Sequence, residues 1–172
     1  GPPEPTNFSY AMAKRTLYSQ VMAYRSEGLN WSCFTPSNIY GPHDNFNSKD
    51  SHFVAALVSK RDQSFLGTGE PRRQQLFVKD LCKIIPRLLE LGPCPDNIIV
   101  APPENLSIKE MINIFSEVTG KCKNPKFSGS LDGIMNKECS SELLYSVLGE
   151  KFYFTPFKEG IKETYDWYVK NA

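Results

Sequence analysis

Short strand-like segments alternate with longer amphipathic helical segments along this sequence. The strand-like segments are 31–36, 75–78 and "DNIIVAP" at 96–102. The helical segments are 9–26, 50–60, 78–92, 107–120, 140–149 and 156–170. Because a helix between two strands favours parallel strands covered by helices, the alternation predicts an α/β fold.

Three helix ends carry specific signals. Ser107 and Glu110 have the spacing of a capping box, and Gly120 stands where a C-terminal cap is expected, so a helix is predicted between them. Thr155 followed by proline predicts a helix that begins with Thr155 as its N-cap. Pro86 falls inside another helical segment and predicts a kink or a break there.

Charge and composition narrow the possible partners and the location. With 20 basic and 19 acidic residues the net charge is +1, which argues against nucleic acid or an anionic membrane as the main partner. No apolar run approaches the roughly 20 residues of a membrane helix, and no signal peptide is evident. The five cysteines form no C-x-x-C pair, so reduced thiols in a cytoplasmic protein are expected.

Tyr10 and Lys14 are four residues apart in the first helical segment, so both project from one face of that helix. An ammonium held a few ångströms from a phenol favours the phenolate form. This arrangement suits proton delivery to a carbonyl that receives a hydride. A chance pair on a surface helix remains the alternative when the spacing is considered alone.

Four longer strings occur in order along the chain: "GPPEPTNFSYAMAK", "PSNIYGPHDNF", "GTGEPRRQ" and "FTPFKEGIKETYDWYVKN". Together they resemble the GDP-L-fucose synthases, the GDP-4-keto-6-deoxy-D-mannose 3,5-epimerase/4-reductases of the extended short-chain dehydrogenase/reductase superfamily. The resemblance covers only the C-terminal half or so of such an enzyme. It implies the end of a Rossmann domain at 1–40 and 78–101, and a smaller α/β substrate domain at 41–77 and 102–172.

The resemblance also implies a reductive site that binds NADP(H). Tyr10 would be the acid of the reduction, and Lys14 would hold the nicotinamide ribose. His52 matches the catalytic histidine that acts as an acid during epimerisation and also borders the cofactor; imidazole exchanges protons near neutral pH. With His43 as the other histidine and no third ligand at suitable spacing, no metal site is expected. The residues implied to line the nicotinamide are Pro36, Ser37, Asn38 and Ile39.

The implied GDP-sugar site draws on five positions. Arg73 matches an arginine that grips the diphosphate, with Arg72 either sharing that work or facing solvent. Asn38 and Lys137 would contact the nucleotide sugar. Lys60 or Arg61 stands in for a second arginine, and Leu66 replaces a tryptophan before the GTG motif. The stretch between His52 and Gly67 is about eight residues shorter than the family pattern.

The implied enzyme is incomplete in these residues. The phosphate-binding loop, a serine that helps hold the keto oxygen and a cysteine base would belong to a missing N-terminal half. We therefore expect a fragment, or one piece of a nicked enzyme, that is inactive alone and belongs to a homodimer. Two alternatives remain: a sister nucleotide-sugar epimerase or dehydratase, and a short non-catalytic module that binds nucleotide sugars.

Overall fold

A computed structural model describes residues 2–3, 5–47, 49–59, 63–94, 97–129 and 132–172, without the side chain of Thr6. A short 3-10 turn (Pro5–Asn7) precedes the first helix. The helices are α1 (Phe8–Ser26), α2 (Phe53–Ser59), α3 (Val78–Leu91), α4 (Ile108–Thr119), α5 (Glu142–Leu148) and α6 (Phe157–Asn171). The strands are β1 (Phe34–Pro36), β2 (Asn38–Tyr40), β3 (Ser64–Phe65), β4 (Arg72–Phe77), β5 (Ile98–Val100), β6 (Asn105–Ser107) and β7 (Lys126–Phe127).

The strands form three small sheets. Strand β1 lies parallel to β5, and β3 lies parallel to β7. In the third sheet β4 is central, parallel to β2 and antiparallel to β6. The α/β class is confirmed, and helices were predicted close to the positions of α1 to α6. Strands β2, β3, β6 and β7 were not predicted, because two or three residues give too little periodicity.

Two apolar cores lie on opposite sides of β4. Phe77 packs with Tyr40, Val54 and Phe157 in the first core, which is built mainly from α2, α4 and α6. Its neighbour Leu76 belongs to the second core, which contains residues of α3, α5 and β5. Successive side chains of a strand point to opposite faces, so β4 contributes to both cores. The predicted domain boundaries stay a prediction.

The capping box at the start of α4 is confirmed. The Glu110 backbone N–H donates to Ser107 Oγ over 3.1 Å, and the Ser107 N–H donates to Glu110 Oε2 over 2.7 Å. Gly120 adopts the left-handed conformation at the C-cap, with φ of 70°. The bond from Ser107 is the main cause that lowers the pKa of Glu110 from its ordinary value.

The expected kink or break at Pro86 is corrected in one respect, because α3 continues through Pro86 to Leu91. Proline removes one backbone donor from a helix interior. Here Pro86 is exposed, while Leu81, Ile84 and Leu88 on the opposite face are buried in the second core. Burial of that apolar face outweighs the lost hydrogen bond.

The predicted cap of α6 is wrong by one residue. Pro156 occupies the N-cap, while both the backbone N–H and the hydroxyl of Thr155 donate to the Asp80 carboxylate, over 2.6 and 2.8 Å. Asp80 is 1% exposed and has to find donors when it is buried. The Thr155 hydroxyl is therefore used between helices rather than within α6.

Two further expectations concern membranes and thiols. In the described ranges no helix has the length and apolar character needed to cross a bilayer. None of the five cysteines, all of which the structure describes, forms a disulfide.

Gly160 provides a test of packing in the first core. It lies within α6, where alanine normally stabilises a helix by about 1 kcal/mol relative to glycine. A Cβ at this position would press on the Tyr40 hydroxyl and lie 3.0 Å from Tyr40 Cζ and 3.1 Å from Phe77 Cδ2. We predict that Gly160→Ala lowers the free energy of unfolding by about 1–3 kcal/mol in denaturant titrations of the full-length protein.

The Tyr40→Phe background is the matched control for this prediction, because it removes the hydroxyl that the new methyl group meets. Most of the loss caused by Gly160→Ala should disappear in that background. An equal loss in both backgrounds would contradict the assigned contact.

Candidate active site

Tyr10 and Lys14 lie on one exposed face of α1. The Lys14 Nζ atom is 5.5 Å from the centroid of the Tyr10 ring, within the range of a cation–π contact. Tyr10 is 59% exposed, and no ion pair joins Lys14 to an acidic residue in the described part of the chain. A phenol and an ammonium without an acidic partner in these ranges are therefore exposed together on the surface.

The segment from Pro36 to Ile39 connects β1 to β2. The Ser37 N–H donates to the Val100 carbonyl over 2.9 Å, which continues the pairing of β1 with β5. The Ser37 Oγ atom is enclosed and has no hydrogen-bond partner among the residues that the structure describes. Asn38 and Ile39 open β2, and the Asn38 side chain donates to the Gln74 carbonyl over 3.3 Å.

Strand alternation divides the polar residues of β4 and its neighbours into two sets. We call one the Arg73 face; by register it contains Arg73, Gln75, Asn38 and Lys137. We call the other the Arg72 face; it contains Arg72, Gln74, Asn105 and Asn136. The backbone N–H of Lys137 donates to the Arg72 carbonyl over 3.3 Å, which places Lys137 beside Arg73.

Arg72 is held by protein groups. It donates to the Asn105 carbonyl over 2.5 Å and pairs with Glu110 at 3.1 Å, while its side chain stays 43% exposed to solvent. Within the described ranges Arg73 makes only a local bond, to the Arg72 carbonyl over 2.6 Å. Burial lowers the pKa of Arg73 from its ordinary value, yet a guanidinium remains charged at neutral pH. Arg73 therefore retains donors for an anion.

The loop from Gly67 to Pro71 is fixed from two sides. Pro71 and Gly69 carbonyls accept the N–H groups of Ile108 and Lys109, over 3.0 and 2.9 Å. The third N–H of α4, that of Glu110, donates to Ser107 Oγ. The first turn of α4 therefore has no backbone donor left for a ligand. Gly69 has φ of +84°, and a Cβ there would lie 2.6 Å from the Phe127 ring.

Asp132 holds the other side of this loop. Its carboxylate accepts the Thr68 N–H over 2.9 Å and the Thr68 hydroxyl over 2.6 Å. These two bonds, the hydroxyl first, lower the pKa of Asp132 from its ordinary value. The loop that leads into Arg73 is thus tied to the segment that leads to Lys137.

The remaining predicted site residues are His52, Leu66, and Lys60 or Arg61. His52 is exposed immediately before α2, and its carbonyl accepts the Ala56 N–H over 2.8 Å. Leu66 is 77% exposed. Lys60 and Arg61 lie outside the described residues. The described hydrogen bonds bring Arg73 and Lys137 together but include none from the His52 side chain.

Sequence reasoning did not identify Thr68, Asp132, Gln74 or Gln75. The sequence did contain a signal for the two glutamines. The Leu-Phe pair that follows them indicates that both faces of the strand are covered, so each amide is expected to be buried and to need a hydrogen-bond partner. Asp132 carried none, because it lies 64 positions from Thr68 and in no regular element.

Residues 1–101 match the NAD dependent epimerase/dehydratase family. The chain is similar to the GDP-L-fucose synthase of Dictyostelium discoideum, with 32% identity over 191 residues that cover 99% of this chain and 57% of the relative. It is 34% identical to the probable GDP-L-fucose synthase 1 of Oryza sativa subsp. japonica, covering 100% of this chain and 55% of that protein. The chain therefore spans just over half the length of these relatives.

Solved structures agree with the fold. A GDP-L-fucose synthetase from Naegleria fowleri bound to NADP superimposes with a TM-score of 0.88 at 28% identity, covering 99% of this chain and 58% of that one. A UDP-N-acetylglucosamine 4-epimerase from Methanobrevibacter ruminantium has a TM-score of 0.83 at 22% identity, which indicates a shared fold alone.

The contact between Thr68 and Asp132 predicts how the loop responds to mutation and to pH. In the full-length protein, Asp132→Ala should accelerate hydrogen exchange of the Thr68 amide at pH 7, measured by NMR, because both acceptor oxygens are lost. Asp166→Ala, which breaks only an exposed pair on α6, should leave that amide unchanged.

The lowered pKa of Asp132 determines how protection of the Thr68 amide changes with pH. The bonded carboxylate persists at neutral pH and is lost only as the pH falls below the ordinary aspartate value of about 3.9. Loss of Thr68 protection between pH 8 and pH 5 would contradict this assignment.

Proposed function

Since this chain belongs to the NAD dependent epimerase/dehydratase family, we propose that it forms the C-terminal part of a GDP-L-fucose synthase. The whole enzyme would convert GDP-4-keto-6-deoxy-D-mannose to GDP-L-fucose by 3,5-epimerisation and NADPH-dependent reduction at C4. The observation that carries the proposal is the exposed pair of Tyr10 and Lys14 on α1. Similarity to GDP-L-fucose synthases over nearly the whole chain supports it.

Tyr10 is the proton donor of the reductive step. Its hydroxyl hydrogen-bonds the C4 carbonyl oxygen and gives up its proton as that oxygen becomes an alkoxide. The Lys14 ammonium, on the same face of the helix, stabilises the negative charge that remains on the phenol. Because the pair is held by one helical turn, its geometry exists before substrate arrives.

The residues at the β1–β2 junction fit the nicotinamide end of NADP(H). Lys14 offers its ammonium to ribose hydroxyls, and Ser37 contributes its backbone to the wall, because its Oγ atom is enclosed. Pro36, Asn38 and Ile39 complete the wall. When bound, NADPH supplies the hydride for C4. The pyrophosphate and adenosine would be held by residues outside this chain.

His52 is the candidate acid for epimerisation. The ketone at C4 makes the hydrogens at C3 and C5 acidic, and inversion requires a proton to return from the opposite face. The exposed imidazole of His52 can give that proton and be reprotonated by solvent. The base that removes each hydrogen would come from the rest of the enzyme.

The Arg73 face binds the sugar nucleotide. Arg73 donates to the diphosphate with its guanidinium fork, and Lys137 adds a second positive charge beside it. Asn38 meets the hexose at the end nearer the nicotinamide. Leu66, which is largely exposed, offers apolar surface at the mouth of the site.

Two surfaces support further partners of the proposed enzyme. Among the described residues β1 pairs on one edge only, with β5, so its other edge can accept a strand from the remaining part of the enzyme. Helix α1 buries only Val21 and exposes Phe8, Leu17 and Tyr24. We assign part of the uncovered surface of α1 to a homodimer interface.

Replacing Tyr10 tests the catalytic assignment. In the full-length enzyme, Tyr10→Phe should slow NADPH oxidation with the keto-sugar at least 100-fold, because the alkoxide loses its proton donor. Incorporation of deuterium at C3 and C5 from D₂O should continue, since it does not use Tyr10. Absorbance at 340 nm and NMR of the sugar separate the two steps.

Tyr18→Phe on the same helix is the matched control and should retain the wild-type rate. Reduction at the normal rate by Tyr10→Phe would refute the role of Tyr10. A wild-type enzyme that exchanges no deuterium and oxidises no NADPH would refute the proposed function itself.

Arg72 and Arg73 provide a second test, because their bonds differ. Arg73→Met should weaken GDP binding about 10- to 100-fold in calorimetry, since charge-assisted bonds to the ligand are lost, and should lower the melting temperature less than Arg72→Met does, since only the local bond to the Arg72 carbonyl is lost within the protein. Arg72→Met should lower the melting temperature, since Asn105 and Glu110 lose their partner. The reverse pattern would contradict the division into two faces.

A further inference from the structure

Gln75 is a buried amide whose hydrogen-bonding groups are not used by the protein. It is only 8% exposed, yet no hydrogen bond joins its side chain to any residue that the structure describes. Neither of its amide atoms is among the fully enclosed atoms without a partner. The small exposed part of Gln75 therefore includes the amide itself.

The register of the central sheet gives the direction of this side chain. Gln75 alternates with Leu76, which packs in the second core, and lies two residues before Phe77 of the first core. It consequently shares the face of Phe77 and Arg73. Its parallel register partner is Asn38, so the two amides lie side by side on adjacent strands.

The adjacent Gln74 shows what a structural glutamine does in this strand. Its Nε2 atom donates to the Pro102 carbonyl over 2.7 Å and to the Cys139 carbonyl over 2.9 Å. Its Oε1 atom accepts the Cys139 N–H over 2.7 Å. Burial of Gln74 is thus compensated within the protein, whereas equal burial of Gln75 is not.

We propose that Gln75 binds a hydroxyl group of the hexose in the sugar nucleotide, an inference that rests on the proposed function. Two residues of a strand separate it from Arg73, about 6.6 Å, so a ligand whose diphosphate meets Arg73 places its hexose near Gln75. A carboxamide both donates and accepts, which matches a hydroxyl group; a phosphate oxygen only accepts. Gln75 and Asn38 form a pair of amides that hydrogen-bond the hydroxyl groups of the hexose.

Comparison of GDP with GDP-L-fucose tests this role, because the two ligands differ by the hexose. In the full-length enzyme, Gln75→Met should bind GDP as the wild type does and bind GDP-L-fucose about three- to tenfold more weakly in calorimetry. Methionine keeps the length of the side chain and removes the amide. The melting temperature without ligand should not fall, since no protein bond is lost.

Gln74→Met is the matched control and should lower the melting temperature by several degrees, because three hydrogen bonds are lost. Equal weakening of GDP and GDP-L-fucose by Gln75→Met, or an unchanged affinity for GDP-L-fucose, would overturn the inference. A fall in melting temperature as large as that of Gln74→Met would assign Gln75 to structure and overturn it as well.

The wild type separates this inference from the function on which it rests. If the wild type reduces the keto-sugar and Gln75→Met shows no hexose-specific loss, only the role of Gln75 fails. If the wild type binds neither GDP nor GDP-L-fucose, the proposed function fails first.

Discussion

Strand β4 carries neighbouring side chains into two different cores, and this double burial positions the other elements around it. Phe77 packs against Tyr40 with ring centroids 5.6 Å apart, while Leu76 is fully buried among residues of α3 and β5. Each fully buried side chain of this size contributes about 1.5–3 kcal/mol. A one-residue slip of β4 would exchange the two faces, so its register is strongly fixed.

Helix α1 contrasts with this centre because it is long but scarcely buried. Only Val21 of its 19 residues is buried. In proteins most of the stability of a helix comes from tertiary packing, and α1 makes little of it with the residues that the structure describes. The same lack of cover leaves Tyr10 and Lys14 accessible on the surface of this helix.

Local signals predicted local structure well, and their failures have physical causes. Ser107 and Glu110 specify their helix within four residues, so the cap could be predicted. Thr155 has the same hydroxyl group as a typical N-cap, but that hydroxyl donates to the buried carboxylate of Asp80, 75 residues away in the sequence. Strand registers and contacts such as that of Asp132 depend equally on partners distant in sequence, and no local pattern contains them.

The period of two along β4 explains why adjacent identical residues have different roles. Arg72 and Gln74 point to one face, where Arg72 bonds to β6 and α4 and Gln74 bonds to Pro102 and Cys139. Arg73 and Gln75 point to the other face and keep donors that those loops do not use. A strand that is bonded on one face is rigid enough to hold ligand-binding groups on the other. The proposed site would thus need no loop rearrangement to present an arginine and an amide about 6.6 Å apart.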